Sequence, residues 1–279
     1  MYRFYFNCHH WKPTYDQWIY ANRCLPTDEL QRIDQYVFQR DVKFALIGQL
    51  LIRYLLTRVF HHDSSSFHLH RTNANRPFIH SEPPFDFNLS HRYQLVCIAG
   101  TFDGRIGCDT MDYRKQSLGK SILRKKFTAK ENQLIEENPL NFVRLWALKE
   151  SYVKWLGMGV GFPFFRLNFH LSTTTFSSPS SSSSLRQIIS DSKLEIDDDD
   201  DDVHQLVTSV PIRFDEQLID LSSTEQQLIT LCLPERSPCQ SFLPLDIDDL
   251  LHGCTPLNRN KTTPTSPLIT WERFQMKDK

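Results

Sequence analysis

Apolar positions along the chain change period several times, and each change marks an element. The opening "YRFYFNCH" alternates like a half-buried strand. From Thr27 to Phe60 the period becomes helical, with Leu30, Ile33 and Val37, then Phe44, Ile47, Leu51, Tyr54 and Leu55, facing one way. Residues 67–100 return to strand character in "FHLHRT", "NLSH" and "QLVCIAG", with a Pro-rich link "SEPPFDF" among them. Asp103-Gly104 separates "LVCIAGTF" from "RIGCDTM", a spacing that predicts a hairpin. Thr128-Ala129-Lys130-Glu131 fits a capping box opening a helix that Pro139 ends. A second helix is predicted from about 141 to 156, and Gly157, Gly159 and Gly161 punctuate its exit. "FFRLNFHL", "PIRFDEQLID" and "QQLITLCLP" (226–234) then read as strands.

Two stretches break the pattern. "STTTFSSPSSSSS" (172–184) and the six aspartates at 197–202 cannot bury enough apolar surface to order themselves. The expectation is a floppy, dispensable insertion over 172–202, between strands of one domain. The last 45 residues are Pro- and polar-rich around one apolar patch, "SFLPLDIDDLL", which predicts a loosely docked or disordered tail. A strand–helices–strands order fills 1–104 and recurs in 105–234, although no residue identity links the two. The predicted organisation is α+β: an N-terminal half 1–104, a C-terminal half 105–234 and a tail 235–279.

Composition narrows the function classes. A chain of 279 residues with 40% hydrophobic content can build a core. Its net charge of −1 supplies no field toward nucleic acid or a membrane, and no nucleic-acid-binding motif accompanies the short basic run Arg124-Lys125-Lys126. "ALIGQLLIRYLL" (45–56) is interrupted by Gln49 and Arg53 and is too short to span a bilayer. The N-terminus lacks the basic start and apolar core of a signal peptide. Seven scattered cysteines without a C-x-x-C pair argue against a disulfide framework or a zinc site and for a reducing compartment. A soluble cytosolic protein is expected.

The candidate chemistry centres on "LWALKESYVKWLG" (145–157). Glu150 and Lys154 at (i, i+4) read equally as an ordinary surface pair. However, Phe142 and Trp146 precede Glu150 on its own stripe, so the carboxylate continues an apolar face. Burying a carboxylate there is costly unless a cation or proton compensates. Asp109 closes the strand "RIGCD", as a turn-capping Asp or as a partner for Glu150. A strand carboxylate and a helix carboxylate brought together suit Mg²⁺, a hard ion that takes oxygen ligands. Arg71 and Arg76 flank a turn-rich loop where a guanidinium could fork to phosphate oxygens, or simply be solvated. Asn88, Ser90 and His91 offer an amide, a hydroxyl and an imidazole at a strand edge. Arg32 is a surface charge by default. No Walker loop, G-x-S-x-G, dinucleotide fingerprint or H-E-x-x-H is present.

Taken together, "FNLSH", Gly107-Cys108-Asp109, "KKFTAKE" and Trp146-Ala147-Leu148-Lys149-Glu150…Lys154 resemble the 4′-phosphopantetheinyl transferase superfamily, and its animal branch in particular. Its pattern is G-x-D followed about forty residues later by W-x-x-K-E-x-x-x-K. The likeness covers about residues 1–170 well and 203–234 weakly. It implies a monomer with a pseudo-twofold pair of α+β halves holding coenzyme A between them. It also implies Mg²⁺-dependent transfer of phosphopantetheine to a carrier-protein serine, releasing adenosine 3′,5′-bisphosphate. By the same resemblance Asp109 and Glu150 bind Mg²⁺, with Glu150 the candidate base. Asn88, Ser90, His91, Arg32, Arg71 and Arg76 meet the coenzyme, and Lys154, with Lys149 the second candidate, steadies its pyrophosphate. Implied partners are fatty acid synthase, a mitochondrial acyl carrier or adenylating reductases. A carrier-binding pseudoenzyme is the alternative, against which both acidic positions are present. Two positions depart from the pattern. Met111 stands where bacterial members carry an acid, with Asp112 a weak substitute, and Asn75-Arg76-Pro77 replaces Gly-Lys-Pro.

Overall fold

The long helical stripe of residues 27–60 is two helices. In the computed structural model, which describes residues 1–9, 11–114, 124–176, 187–196, 210–257 and 271–278, Thr27–Asp34 (α2) and Gln39–Phe60 (α3) are separate, and Tyr15–Arg23 (α1) precedes them. No helix among the described residues is long and apolar enough to cross a membrane.

The chain packs as two compact units, which do not coincide with the stretches 1–104, 105–234 and 235–279. One comprises residues 2–69, 94–98 and 243–279. In it Tyr2–Asn7 (β1) lies between the start of Leu95–Thr101 (β5) and Leu243–Leu245 (β12), which pairs in parallel with β1, Phe4 opposite Leu243 and Phe6 opposite Leu245. Leu46, Ile47, Leu50 and Leu51 of α3 are fully buried in this unit's core. The described parts of the C-terminal segment, 243–257 and 271–278, are therefore docked and not a loose tail. Helix Ile247–His252 (α6) buries Leu250, and Trp271–Gln275 (α7) buries Phe274, whose ring stacks 4.0 Å from that of Trp18. Leu250 and Phe274 are buried, and a parallel pairing between residues 239 apart leaves no local trace in the sequence.

The other unit comprises Met1, residues 70–93 and 99–242. Its main sheet runs in the order Gly107–Asp112 (β6), Gln226–Pro234 (β11), Ile212–Asp220 (β10) and Ile188–Ile189 (β8), antiparallel throughout. Helices Ala129–Glu137 (α4) and Leu140–Leu156 (α5) follow the predicted boundaries, with Thr128 closing the capping box on Glu131. A two-stranded sheet joins Leu167–His170 (β7) to Lys193–Ile196 (β9), and His70–Arg71 (β2) pairs with Pro77–Phe78 (β3). Each unit thus combines a sheet with one long helix, the mixed α+β repetition expected from the pattern.

Two local expectations are corrected. Asp103-Gly104 makes a turn, with Gly104 at φ 141°, but β5 and β6 belong to different sheets and β6 pairs with β11. Asp103 spends its Oδ2 on the hydroxyls of Thr101 and Ser237, so the turn is anchored to the chain beyond β11 and not closed as a hairpin. The segment 172–202 is not uniformly floppy either. Its residues 187–196 supply β8 and β9, Ile189 is buried, and on β10 Ser190 donates to Asp215 and Ser192 to Glu216, both at 2.7 Å. Residues 177–186 and 197–202 lie outside the described residues. Deleting 177–186 is expected to shift stability by less than about 0.5 kcal/mol. Deleting 187–196 strips β7 and β10 of partners and lowers the melting midpoint by many degrees, which thermal denaturation of the two deletions distinguishes.

Candidate functional site

The site is built where α5 lies on the β6 face of its sheet. Gly107, Asp109 and Met111 share one face of β6 by strand alternation. At Gly107 the helix backbone comes so close that a Cβ would overlap the Ser151 carbonyl oxygen and stand 2.5 Å from the Trp155 nitrogen. Two residues on, Asp109 meets the end of the same helix: Lys154 Nζ donates to Asp109 Oδ1 at 2.6 Å. The glycine of G-x-D is thus the condition for its aspartate to reach the lysine of K-E-x-x-x-K. Gly157, at φ 76°, ends the helix in the left-handed conformation, placing Lys154 in the last turn where a cation is favoured.

Ser90, on Asp86–Arg92 (β4), completes the constellation. Its buried hydroxyl donates to Asp109 Oδ1 at 3.0 Å and accepts from Lys154 Nζ at 3.0 Å. Lys154 also donates to the Cys108 carbonyl at 3.0 Å, so all of its ammonium protons are engaged. Burial would lower the Lys154 pKa, but the Asp109 carboxylate beside it wins, and the group stands above the ordinary lysine value. Both side-chain hydrogen bonds to Asp109 fall on Oδ1 and neither on Oδ2.

Glu150 is partly buried and makes no hydrogen bond or ion pair among the described residues. Lys154 pairs with Asp109 instead, so the surface (i, i+4) pair is not what forms. Burial, and then the nearby Asp109 carboxylate, hold the Glu150 carboxyl above the usual range, with Lys154 and Arg92 acting in the opposite direction. Phe142 and Trp146 do continue its stripe, stacked at 5.8 Å and packed on Phe127 and Phe164. Two carboxylates near enough to repel, one without a hydrogen bond, fit a divalent cation. Among the described residues no group of three or more His, Cys, Asp or Glu surrounds such a position, so water or substrate oxygens would supply the remaining ligands.

The other predicted residues have diverse surroundings. Arg76 is consumed internally, with a side chain 15% exposed. It donates to Asp86 Oδ2 at 2.6 Å and to the carbonyls of Phe87, Ile106 and Lys154 at 3.0, 2.9 and 2.7 Å. It ties β4, the entry to β6 and the end of α5 together, and is not poised for a phosphate. Asn88 Oδ1 likewise accepts the Cys108 N–H at 2.9 Å, and Asp86 Oδ2 the Ile106 N–H at 2.8 Å. These side chains satisfy the outer edge of β6, which is why a buried polar strand such as "DFNLS" is tolerated. His91 is exposed at the end of β4. Arg71 donates to the Asn75 carbonyl at 3.1 Å across a turn in which Asn75 takes φ 62°, the left-handed conformation a glycine would adopt. Arg32 lies in the other unit, its guanidinium on Glu29 at 2.8 Å. Met111 is core, while Asp112 points to the opposite face, pairs with Arg114 and offers no substitute carboxylate.

Lys149, the lesser candidate for the pyrophosphate, is fully buried. Its Nζ pairs with Glu131 at 2.7 Å and donates to the carbonyls of Phe164, at 2.8 Å, and Leu167. It cannot touch a substrate. Sequence reasoning missed Arg92, exposed two residues beyond Ser90 on the same strand face and within electrostatic reach of Glu150. The strand period itself was the available signal.

Comparison with known proteins bears on the family. A family profile described as 4′-phosphopantetheinyl transferase, N-terminal, matches residues 9–103, and that of the 4′-phosphopantetheinyl transferase superfamily matches residues 105–210. The chain is 35% identical over 186 residues to the L-aminoadipate-semialdehyde dehydrogenase-phosphopantetheinyl transferases of Rattus norvegicus and Homo sapiens, a match covering 61% of this chain and 60% of each relative. A phosphopantetheinyl transferase of Thraustochytrium is 32% identical over 165 residues, covering 53% of this chain and 57% of that protein. The matched region thus spans less than two thirds of these relatives' own length.

Proposed function

Because the chain belongs to the 4′-phosphopantetheinyl transferase superfamily, we propose that it transfers the 4′-phosphopantetheine group of coenzyme A to a serine of apo carrier proteins, with Mg²⁺ as cofactor. The observation that carries this reading is the joining of Ser90, Asp109 and Lys154 within 3.0 Å of one another beside Glu150, which has no ion pair among the described residues. Asp109 and Glu150 would hold the ion, which when bound supplies charge neutralisation on the coenzyme A pyrophosphate.

In the proposed step the carrier serine Oγ bonds to the β-phosphorus of coenzyme A. The bond from that phosphorus to the bridging pyrophosphate oxygen breaks, and adenosine 3′,5′-bisphosphate leaves. Holding the ion is the first role of Glu150; it is also the proposed acceptor of the serine proton, through one water, because a cation and Lys154 beside the carboxylate weaken it as a direct base. Lys154 keeps Asp109 and Ser90 in place, and its charge favours the developing negative charge on the leaving group. Ser90, His91 and Arg71 are the proposed phosphate contacts, while Arg76 and Asn88 hold the strands that present them. Carrier domains of fatty acid synthase, mitochondrial acyl carriers and adenylating reductases are the proposed acceptors. Incubation with coenzyme A, Mg²⁺ and an apo carrier protein tests the reading. A mass gain of one phosphopantetheine on the carrier supports it, and an unmodified carrier under conditions where a known transferase works sinks it.

The basic run before α4 belongs to the same proposal. Arg124 is paired with Glu136 at 2.8 Å and Lys126 lies 6.0 Å from the Phe164 ring, whereas Lys125 is exposed and without an ion pair among the described residues. Carrier proteins of this kind are acidic around the helix after their modified serine, so this patch would steer them. Lys125→Glu, and more so Arg124→Glu/Lys125→Glu, is expected to raise KM for the carrier severalfold at low ionic strength and to leave KM for coenzyme A unchanged. Equal weakening for both substrates would move the patch to the coenzyme site.

A further inference from the structure

The buried Lys149–Glu131 couple sits one residue from Glu150, in a part of the molecule that the proposed step does not use. Both side chains are fully buried and their charges meet at 2.7 Å. Apart from each other, the hydrogen-bond partners of the two side chains among the described residues are backbone groups. Glu131 Oε1 accepts from the Phe169 N–H and Oε2 from the Thr128 N–H, both at 2.9 Å, while Lys149 Nζ lies 5.4 Å from the Phe127 ring. One ion pair therefore joins the first turn of α4, the first residues of β7 and the middle of α5. On the opposite side α5 is held by its contact with Gly107.

Successive residues of a helix are separated by about 100° around its axis, so fixing the azimuth of one residue fixes that of the next. We infer that Lys149 and Glu131 form a rotational lock on α5, a pair of positioning residues that aim Glu150 at Asp109 without touching either substrate. A hydrophobic pair of similar volume would bury as well, and often better. What it would not supply is the set of directional bonds that Lys149 makes to two carbonyls and a carboxylate. The same bonds tie Glu150 to Thr128, two residues after the basic run, so carrier docking and the proton acceptor share one frame. This inference rests on the proposed transferase reading for its catalytic consequence, though not for its geometry.

Lys149→Met alone strands a buried carboxylate and is expected to compromise folding. The decisive variant is Lys149→Met/Glu131→Gln, in which no charge is left uncompensated and the glutamine keeps a capping-box oxygen. Its melting midpoint is expected to return close to wild type. Its kcat is expected to stay at least tenfold down, with KM for coenzyme A within twofold, and amide exchange at Phe169 and along 146–155 is expected to quicken. A double variant with wild-type midpoint, kcat within twofold and unchanged exchange overturns the lock and leaves a merely structural pair. A loss expressed as raised KM for coenzyme A also overturns it, because it makes Lys149 a substrate contact. If the wild-type protein modifies no carrier, the transferase reading fails by itself, while the exchange comparison still decides the lock.

Discussion

Glu150→Gln and Asp109→Asn are each expected to lower kcat for carrier modification by at least about 10²-fold, the scale on which a positioned acid–base group acts. Both replacements are nearly isosteric, so the loss reports charge and not packing. Asp109→Asn in addition removes the anion that holds Lys154 at 2.6 Å. Transfer at wild-type rate by either variant at saturating Mg²⁺ would end the assignment of this pair. The same glutamate carries a second, less intuitive expectation. Its carboxyl stands above the ordinary value in the folded protein, through burial first and Asp109 second. A carboxyl with a higher pKa folded than unfolded binds more protons when folded. Stability therefore falls as pH rises from the ordinary glutamate value through the raised one, and the deficit persists above it. With divalent ions chelated, Glu150→Gln is thus expected to melt higher than wild type at pH 7, and the difference to vanish near pH 4. Melting curves across that range check it, and a variant that melts lower at pH 7 contradicts it.

Gly107→Ala is expected to be the most damaging single-methyl change in the site. The added Cβ would meet the Ser151 carbonyl oxygen and the Trp155 nitrogen, both backbone atoms of α5, which no rotamer change can move aside. Forcing extra atoms into a packed contact costs about 1–3 kcal/mol, and more where backbone must shift. The helix would have to lift from β6, taking Lys154 off Asp109 and Glu150 out of line. Loss of several degrees in melting midpoint together with near-complete loss of transfer is the expected result. An alanine variant with normal stability and activity would show that the approach at Gly107 does not control the site.

Much of the architecture could be read from short-range pattern. The alternation of "YRFYFN", the capping box at Thr128, the helix ending at Gly157 and the paired strands 212–220 and 226–234 all depend on neighbours within a few residues, and all of them form. The motif residues Asp109, Lys154 and Ser90 do converge as a strand-plus-helix site requires. Elsewhere, composition misled. Residues 187–196 look like part of a serine–aspartate run, yet Ile189, Ser192 and their bonds to β10 make them sheet. The C-terminal stretch looks too polar to fold, yet its described parts dock through Phe274 on Trp18 and β12 beside β1.

Residue type and spacing settled which side chains could take part: an aspartate two places after a glycine on a strand, and a glutamate four places before a lysine on a helix. Packing across the chain decides what each one meets. A lysine at 149 and a lysine at 154 are indistinguishable as letters, but one faces Glu131 inside the core and the other faces Asp109 at the site, since five helical steps turn them to different sides. Two arginines near a turn look alike until Arg76 is seen to have spent its guanidinium on Asp86 and three carbonyls. Local periodicity fixes the direction in which a side chain leaves its own element. Whether it meets a carboxylate, a carbonyl or water there depends on segments tens of residues away, and no local pattern encodes that.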